Sequence, residues 1–238
     1  MAAAFFDLDR TVIADNSGLL YARWERRHGR ISRRQLAQTV LWGGLYHFAL
    51  VDLEAAFTRA LSHYKGVEDA ELRARTQAFF DSTVADLLLP GAAAAIAYHR
   101  ERGEPTILLT NSSSYLAEAA SAAFGLDHWL ANRFTRDAEG RLDGHFEAPL
   151  CYGHGKVLRA SAFAAERGID LGRCTFYTDS LTDLPMLECV GQPRVVQPDP
   201  RLRRVARKRG WPILDWQQQP TDPPSRQSET LPSVHPVR

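Results

Sequence analysis

Residues Ala2–Phe6 form an apolar run that stops abruptly at an acid, Asp7. A run this short, apolar at successive positions, suits a strand covered on both faces, as in a parallel sheet. The same form recurs at Pro105–Thr110 and Cys174–Thr178, and more weakly at Arg194–Val196 and Pro212–Leu214. Helical patterns lie between these runs, at Tyr115–Phe124, Lys156–Arg167, Leu184–Cys189 and Arg201–Arg209. Strands alternating with helices predict an α/β fold, a doubly wound parallel sheet with right-handed crossovers. Ligands bind such sheets at the carboxyl ends of the strands, where this chain puts its acids and hydroxyls.

One interval breaks the alternation. From Asn16 to Ser82 helical patterns follow one another, at Leu19–Arg27, Arg33–Ala49, Leu53–His63 and Asp69–Phe80, with no buried strand among them. A crossover needs only one helix. The extra helices therefore predict an α-helical cap inserted after the first core strand, with helices packed on one sheet face as the alternative. The chain then divides into a core of residues 1–15 and 83–216 and a cap of residues 16–82. Pro90-Gly91 opens a helix through Arg102 that returns the chain to the core. Asn132–Phe146 reads as a hairpin around Glu139-Gly140. Residues 217–238 hold five of the thirteen prolines and no periodic apolar pattern, which predicts a disordered tail.

Composition narrows the function classes. Apolar residues make up 45%, enough for a real core, and a net charge of +1 gives no field that favours nucleic acid or an anionic membrane. No stretch reaches the roughly 18–20 apolar residues that span a bilayer. Leu36–Val51 comes closest, interrupted by Gln38, Gly43, Gly44 and His47. The N-terminus lacks the basic region of a signal peptide. Cys151, Cys174 and Cys189 show neither paired nor metal-type spacing and are expected as ordinary buried thiols in a reducing cytoplasm.

The chemistry-bearing residues sit at strand ends. Asp7 and Asp9 are two residues apart just past the first strand, so both carboxylates can face the crevice once the chain leaves the sheet. One could attack phosphorus while the other handles protons; alone, the pair also reads as turn acids. Thr110 closes the second core strand and leads into Asn111-Ser112-Ser113-Ser114 and a helix, a cradle for phosphate or simply a helix cap. Lys156 opens a helix after Gly153-His154-Gly155 and could set a fixed positive charge against phosphoryl oxygens. Asp179 and Asp183 follow the strand Cys174–Thr178, and with Asp7 they would make an oxygen-rich site of the kind Mg²⁺ prefers.

Asp7-x-Asp9-x-Thr11, Thr110, Lys156 and Asp179-x-x-x-Asp183 occur in order, and together they resemble the four motifs of the haloacid dehalogenase-like phosphatases. The helical insertion after the first motif resembles the phosphoserine phosphatase-like group, subclass IB. The resemblance spans Ala2 to Trp216 and implies a Rossmann-like core, Mg²⁺ as cofactor and a small phosphorylated metabolite as substrate. It implies Asp7 as nucleophile and Asp9 as general acid and base, with the Asp9 carbonyl on the metal. Thr110 and the backbone near Asn111 would bind the phosphoryl group, Lys156 would neutralise charge, and Asp179 would complete the metal site with Asp183 nearby. Phosphoserine phosphatases usually carry a glutamate nine residues after the nucleophile; this chain has Asn16. Asp179-Ser180-Leu181-x-Asp183-Leu184-Pro185 looks closer to the branch that includes histidinol-phosphate phosphatases. Asp15 and the cap arginines Arg23, Arg26 and Arg59 are candidates for substrate contacts.

Other readings share part of this pattern. A receiver domain keeps its metal acids adjacent and has no helical cap. A dehalogenase has no use for an acid at Asp9, because halide leaves without a proton. Phosphotransfer to an acceptor other than water uses the same residues and is a sequence-compatible alternative.

Overall fold

The computed structural model describes residues 1–38, 57–59 and 61–217. Strands β1 (Ala4–Phe6), β2 (Thr106–Ser113) and β3 (His128–Asn132) join β6 (Thr175–Thr178), β7 (Gln192–Val196) and β8 (Ile213–Leu214) in one sheet. Its order is β3-β2-β1-β6-β7-β8, and every neighbouring pair is parallel. The expected doubly wound α/β architecture is therefore the one observed. From β1 the chain moves outward through β2 and β3, then returns to lay β6 on the other side of β1. The crevice at β1 is thus bordered by β2 and β6.

Alternation along the strands divides the core into two layers. Ala4, Phe6, Leu108, Tyr177 and Val196 face one layer, with α3 (Pro90–Glu101) and α4 (Ser114–Phe124) packed against them. Phe5, Ile107, Leu109, Phe176 and Val195 face the other, covered by α5 (His154–Arg167), α6 (Leu184–Cys189) and α7 (Pro200–Arg209). Where these strands are covered on both faces their residues are mostly apolar, at Ala4–Phe6, Ile107, Leu108, Leu109, Phe176, Tyr177, Val195 and Val196.

Between residues 16 and 82 the described residues contain helices and no strand: α1 (Ser17–Arg27), helical residues at 33–38 and 57–59, and α2 (Asp69–Phe79). The greater part of the predicted helices Arg33–Ala49 and Leu53–His63, and the predicted tail from 218 onward, lie outside the described residues. Trp24 of α1 and Phe79 of α2 join the Phe6 layer of the core. Leu72, Tyr115 and Leu142 form a separate small core where α2 meets the hairpin of β4 (Phe134–Arg136) and β5 (Leu142–Phe146). Tyr115 Oη and Arg136 both donate to Asp69 Oδ1, at 2.6 Å each for the closest atoms, fastening the same junction.

Trp216 closes the Phe6 layer. Its ring lies 5.0 Å from Tyr177, which stacks on Phe6 at 4.8 Å. It can do so because Gly91 on α3 has no side chain: a Cβ there would fall within the indole. We expect Gly91→Ala to cost about 1–3 kcal/mol by overpacking, measured as a lower urea midpoint with an unchanged slope. A midpoint equal to that of the parent protein would contradict this packing.

Candidate active site

Asp7 stays in register with the sheet, its N–H donating to the Tyr177 carbonyl at 2.9 Å. The chain then coils tightly. Val12 and Ile13 both donate to the Leu8 carbonyl, at 2.9 and 3.0 Å, and Arg10 takes a left-handed φ of 56°. Non-glycine residues adopt that region rarely and at a cost, most often near functional sites. The coil returns Asp9 to the cleft beside Asp7. Asp9 Oδ1 accepts from the Ser17 N–H at 2.8 Å and Oδ2 from Asn16 Nδ2 at 3.3 Å, so the first turn of α1 grips both oxygens. Ser17 Oγ lies 3.0 Å from Ser112 Oγ, which ties the same turn to the end of β2.

On β2, buried Thr110 accepts through Oγ1 from the Ser112 N–H at 3.1 Å, shaping the loop that presents Asn111. Lys156 arrives from the opposite layer. Gly155 precedes it at a point where a Cβ would overlap the Leu150 carbonyl oxygen, and Gly153 has a φ of 51°. This close approach lets the first turn of α5 drive Lys156 into the cleft. There Nζ donates to Asp7 Oδ1 at 2.6 Å and to Asp183 Oδ2 at 2.7 Å, and Thr178 Oγ1 donates to the same Asp183 oxygen at 2.7 Å. Asp179 follows β6, and its loop is pinned by Asp199, whose N–H reaches the Asp179 carbonyl and whose Oδ2 accepts from the Leu181 N–H.

All seven residues expected from the sequence, Asp7, Asp9, Thr110, Asn111, Lys156, Asp179 and Asp183, line one cavity of about 100 Å³. Arg10, Asn16, Tyr152, Ser180 and Thr182 line it as well. Asp15, Arg23, Arg26 and Arg59 do not. Asn16 is already engaged: its Oδ1 caps α1 by accepting from the Leu19 N–H at 2.9 Å, while its nitrogen meets Asp9. The left-handed turn that brings Arg10 to the cavity has no signature in Asp-Leu-Asp-Arg-Thr, so nothing in the sequence marks Arg10 as a lining residue. Of the cysteines, Cys151 and Cys174 are buried as expected and Cys189 only partly so.

The charges in this cleft do not balance within the protein. Burial pushes Asp7 up to about 7, against the pull of the Lys156 ammonium. Burial, then repulsion from Asp7 and Asp183, pushes Asp179 up to about 8. Burial raises Asp9 as well, although its hydrogen bonds from Ser17 lower it. Lys156 is held protonated by Asp183 and Asp7 in spite of its own burial. Four carboxylates face one buried ammonium and the exposed Arg10 guanidinium, which leaves a surplus of negative charge. Such a site calls for a further cation.

Comparison with known proteins gives the family. Residues 4–188 match the haloacid dehalogenase-like hydrolase family. A Streptomyces azureus protein described as inhibiting morphological differentiation is 34% identical over 90% of this chain and 78% of its own length. A phosphoserine phosphatase of Mycobacterium tuberculosis is 32% identical over 90% of this chain and 71% of its own. A histidinol-phosphatase of Neisseria meningitidis is 25% identical over 90% and 98%. Among solved structures, a Bordetella pertussis protein of unknown function superposes with a TM-score of 0.82 at 28% identity, covering 90% of this chain and 98% of that one. A phosphoserine phosphatase, at 18% identity and a TM-score of 0.65 over 91% and 93%, shares the fold. The chain belongs to the haloacid dehalogenase-like hydrolases. Within that family it is a phosphatase.

Removing the ammonium should expose the imbalance. Lys156→Met is expected to lose up to about 3–5 kcal/mol, the range for a buried charge left without its partner, when urea unfolding is measured well above the parent Asp7 value of about 7, since loss of the ammonium raises Asp7 further. Below about 7 Asp7 carries a proton with or without Lys156, and the loss should shrink. An equal loss on both sides would contradict charge compensation by Lys156.

Proposed function

We propose that this chain hydrolyses phosphomonoesters with Mg²⁺ through a transient aspartyl-phosphate on Asp7, acting on a small phosphorylated metabolite in the cytoplasm. The observation that carries this reading is the placement of Asp7 and Asp9 on one cavity with the Lys156 ammonium 2.6 Å from Asp7.

The donor set fits the metal. Asp7 keeps one carboxylate oxygen clear of Lys156, Asp179 lies on the same cavity, and the Asp9 main-chain carbonyl would add a neutral oxygen. Asp183 is already bound to Lys156 and Thr178, so its share is best made through water. Among the described residues no three acid, histidine or cysteine side chains form a closed cage. Mg²⁺ needs none, since it keeps several waters and takes one or two carboxylates together with substrate phosphate. When bound, it would offset negative charge on Asp7 and on the phosphoryl oxygens.

The protein's own groups then divide the work. A carboxylate oxygen of Asp7 forms a bond to phosphorus as the ester oxygen leaves. Asp9, protonated with help from burial, gives its proton to that oxygen, releasing an alcohol. Asp9 next takes a proton from water, whose oxygen attacks phosphorus and frees Asp7 and inorganic phosphate. Lys156 and the donors near Thr110 and Asn111 hold the phosphoryl oxygens throughout.

Histidinol phosphate and phosphoserine-like esters are the substrate class that relatives at 25–32% identity suggest. Asn16, turned to Asp9 and the helix cap, brings no negative charge to the cavity mouth, which favours the former. Residues 16–82 would serve as the cap over this cleft, on the strength of α1 gripping Asp9 and Ser112. No helix among the described residues is long and apolar enough to cross a membrane.

A panel of histidinol phosphate, phosphoserine and an aryl phosphate, assayed for phosphate release with Mg²⁺ and with a chelator, tests the reading. Metal-dependent release is expected, and Asp7→Asn should abolish it while the fold survives. Near-parental turnover in that variant, or no release from any ester, would contradict the assignment.

A further inference from the structure

Asp199 stands between β7 and α7 and does not line the cavity. Its groups are nonetheless divided between the helix and the loop that carries Asp179. Oδ1 accepts from the Arg201 and Leu202 N–H groups at 2.7 and 3.0 Å, capping α7. Oδ2 accepts from the Leu181 N–H at 3.0 Å, and the Asp199 N–H donates to the Asp179 carbonyl at 3.1 Å. Two hydrogen bonds thus bracket Asp179-Ser180-Leu181 from its two ends. An N-cap needs only one side-chain oxygen. The second oxygen serves the loop.

The backbone around Asp199 suits this reach. Gln197 takes a left-handed φ of 42°, and it and Arg10 are the non-glycine residues of positive φ among the described residues. Such conformations cost free energy and gather near functional sites. The turn at Gln197 follows β7 directly, and two residues later Asp199 meets the loop after β6. Pro198 and Pro200 flank Asp199. A residue before proline is held extended, and Asp199 is, at φ −56° and ψ 158°. From Leu181 the chain enters a short 3-10 turn to Asp183, whose N–H donates to the Ser180 carbonyl at 3.2 Å. Asp183 in turn holds Lys156.

We propose that Asp199 is a positioning residue for the divalent-cation site, fixing the loop from Asp179 to Leu181 so that Asp179 stands ready at the cavity before metal arrives. The inference rests on the metal-dependent reading above, and it adds a residue outside the cavity that sets cation affinity. Groups that orient a metal ligand typically govern affinity by about ten- to a hundredfold.

Asp199→Ser and Asp199→Asn separate this role from helix capping. Serine and asparagine cap helices about as well as aspartate, so α7 should survive and the urea midpoint should stay near that of the parent. Neither side chain can serve α7 and Leu181 together. Asparagine has one acceptor oxygen; with two N–H groups at α7 to satisfy, its NH₂ is left facing the Leu181 N–H, donor against donor. Mn²⁺ takes the same oxygen ligands as Mg²⁺, and the EPR signal of the free ion reads its binding without turnover. The Mn²⁺ dissociation constant is expected to rise about ten- to a hundredfold in both variants, and saturating Mg²⁺ should restore most of the phosphate release. Parental Mn²⁺ affinity in either variant, or a loss of turnover that excess metal does not restore, would overturn the role of Asp199 and leave the phosphatase reading standing. Should the variants not fold, hydrogen exchange of the metal-free parent protein decides. The Leu181 amide should be protected before metal is added; fast exchange that slows only on metal binding would overturn the proposal. A parent protein that binds no Mn²⁺ and releases no phosphate with Mg²⁺ would overturn both.

Discussion

The ammonium of Lys156, within 2.7 Å of Asp7 and Asp183 and almost wholly buried, sets the terms for everything around it. Carboxylates taken out of water repel one another and their charged forms are disfavoured, so a cleft with four of them needs compensating charge at close range. The fold supplies it from the far layer. Lys156 reaches the cleft because α5 starts tight against the Leu150 carbonyl, which leaves no room for a side chain at Gly155. The compensation is incomplete, and Asp179 is left at the cavity with a raised affinity for protons. A structural ion-pair cluster would gain nothing from that surplus, whereas the proposed uptake of a divalent cation would use it.

Much of this site is legible in the amino-acid sequence, for a definite reason. Strands covered on both faces are mostly apolar, so β1, β2 and β6 stand out, and ligand sites in parallel sheets lie at their carboxyl ends. Asp7, Thr110 and Asp179 can be placed by that rule alone. β3 carries no such signal because it is an edge strand. His128, Trp129 and Leu130 are only partly buried, and the strand ends in a polar residue, so its pattern resembles a loop. Strand limits also differ from expectation: β2 runs on to Ser113, beyond the expected end at Thr110.

Partnerships between residues far apart in the chain leave no such trace. Ser17 and Ser112 meet across 95 positions, and Asn132 reaches Asn111 across 21, with nothing in either residue type to announce it. Asn16 illustrates the limit most clearly. Its position relative to Asp7 suggests a role toward substrate, whereas its side chain caps α1 and holds Asp9. The residues with charge and chemistry are readable from local context. Those that orient them depend on hydrogen bonds that only the folded chain defines.

The central claim is that Asp7 itself carries the phosphoryl group during turnover. Acid quenching of the working enzyme with Mg²⁺ and a phosphomonoester, followed by borohydride reduction and peptide mass spectrometry, reads this directly, because an acyl phosphate on aspartate is reduced to homoserine. The account predicts homoserine at position 7 and at no other acid. Intact Asp7 in an enzyme quenched during rapid turnover, with the phosphoryl group found on another side chain, would contradict it.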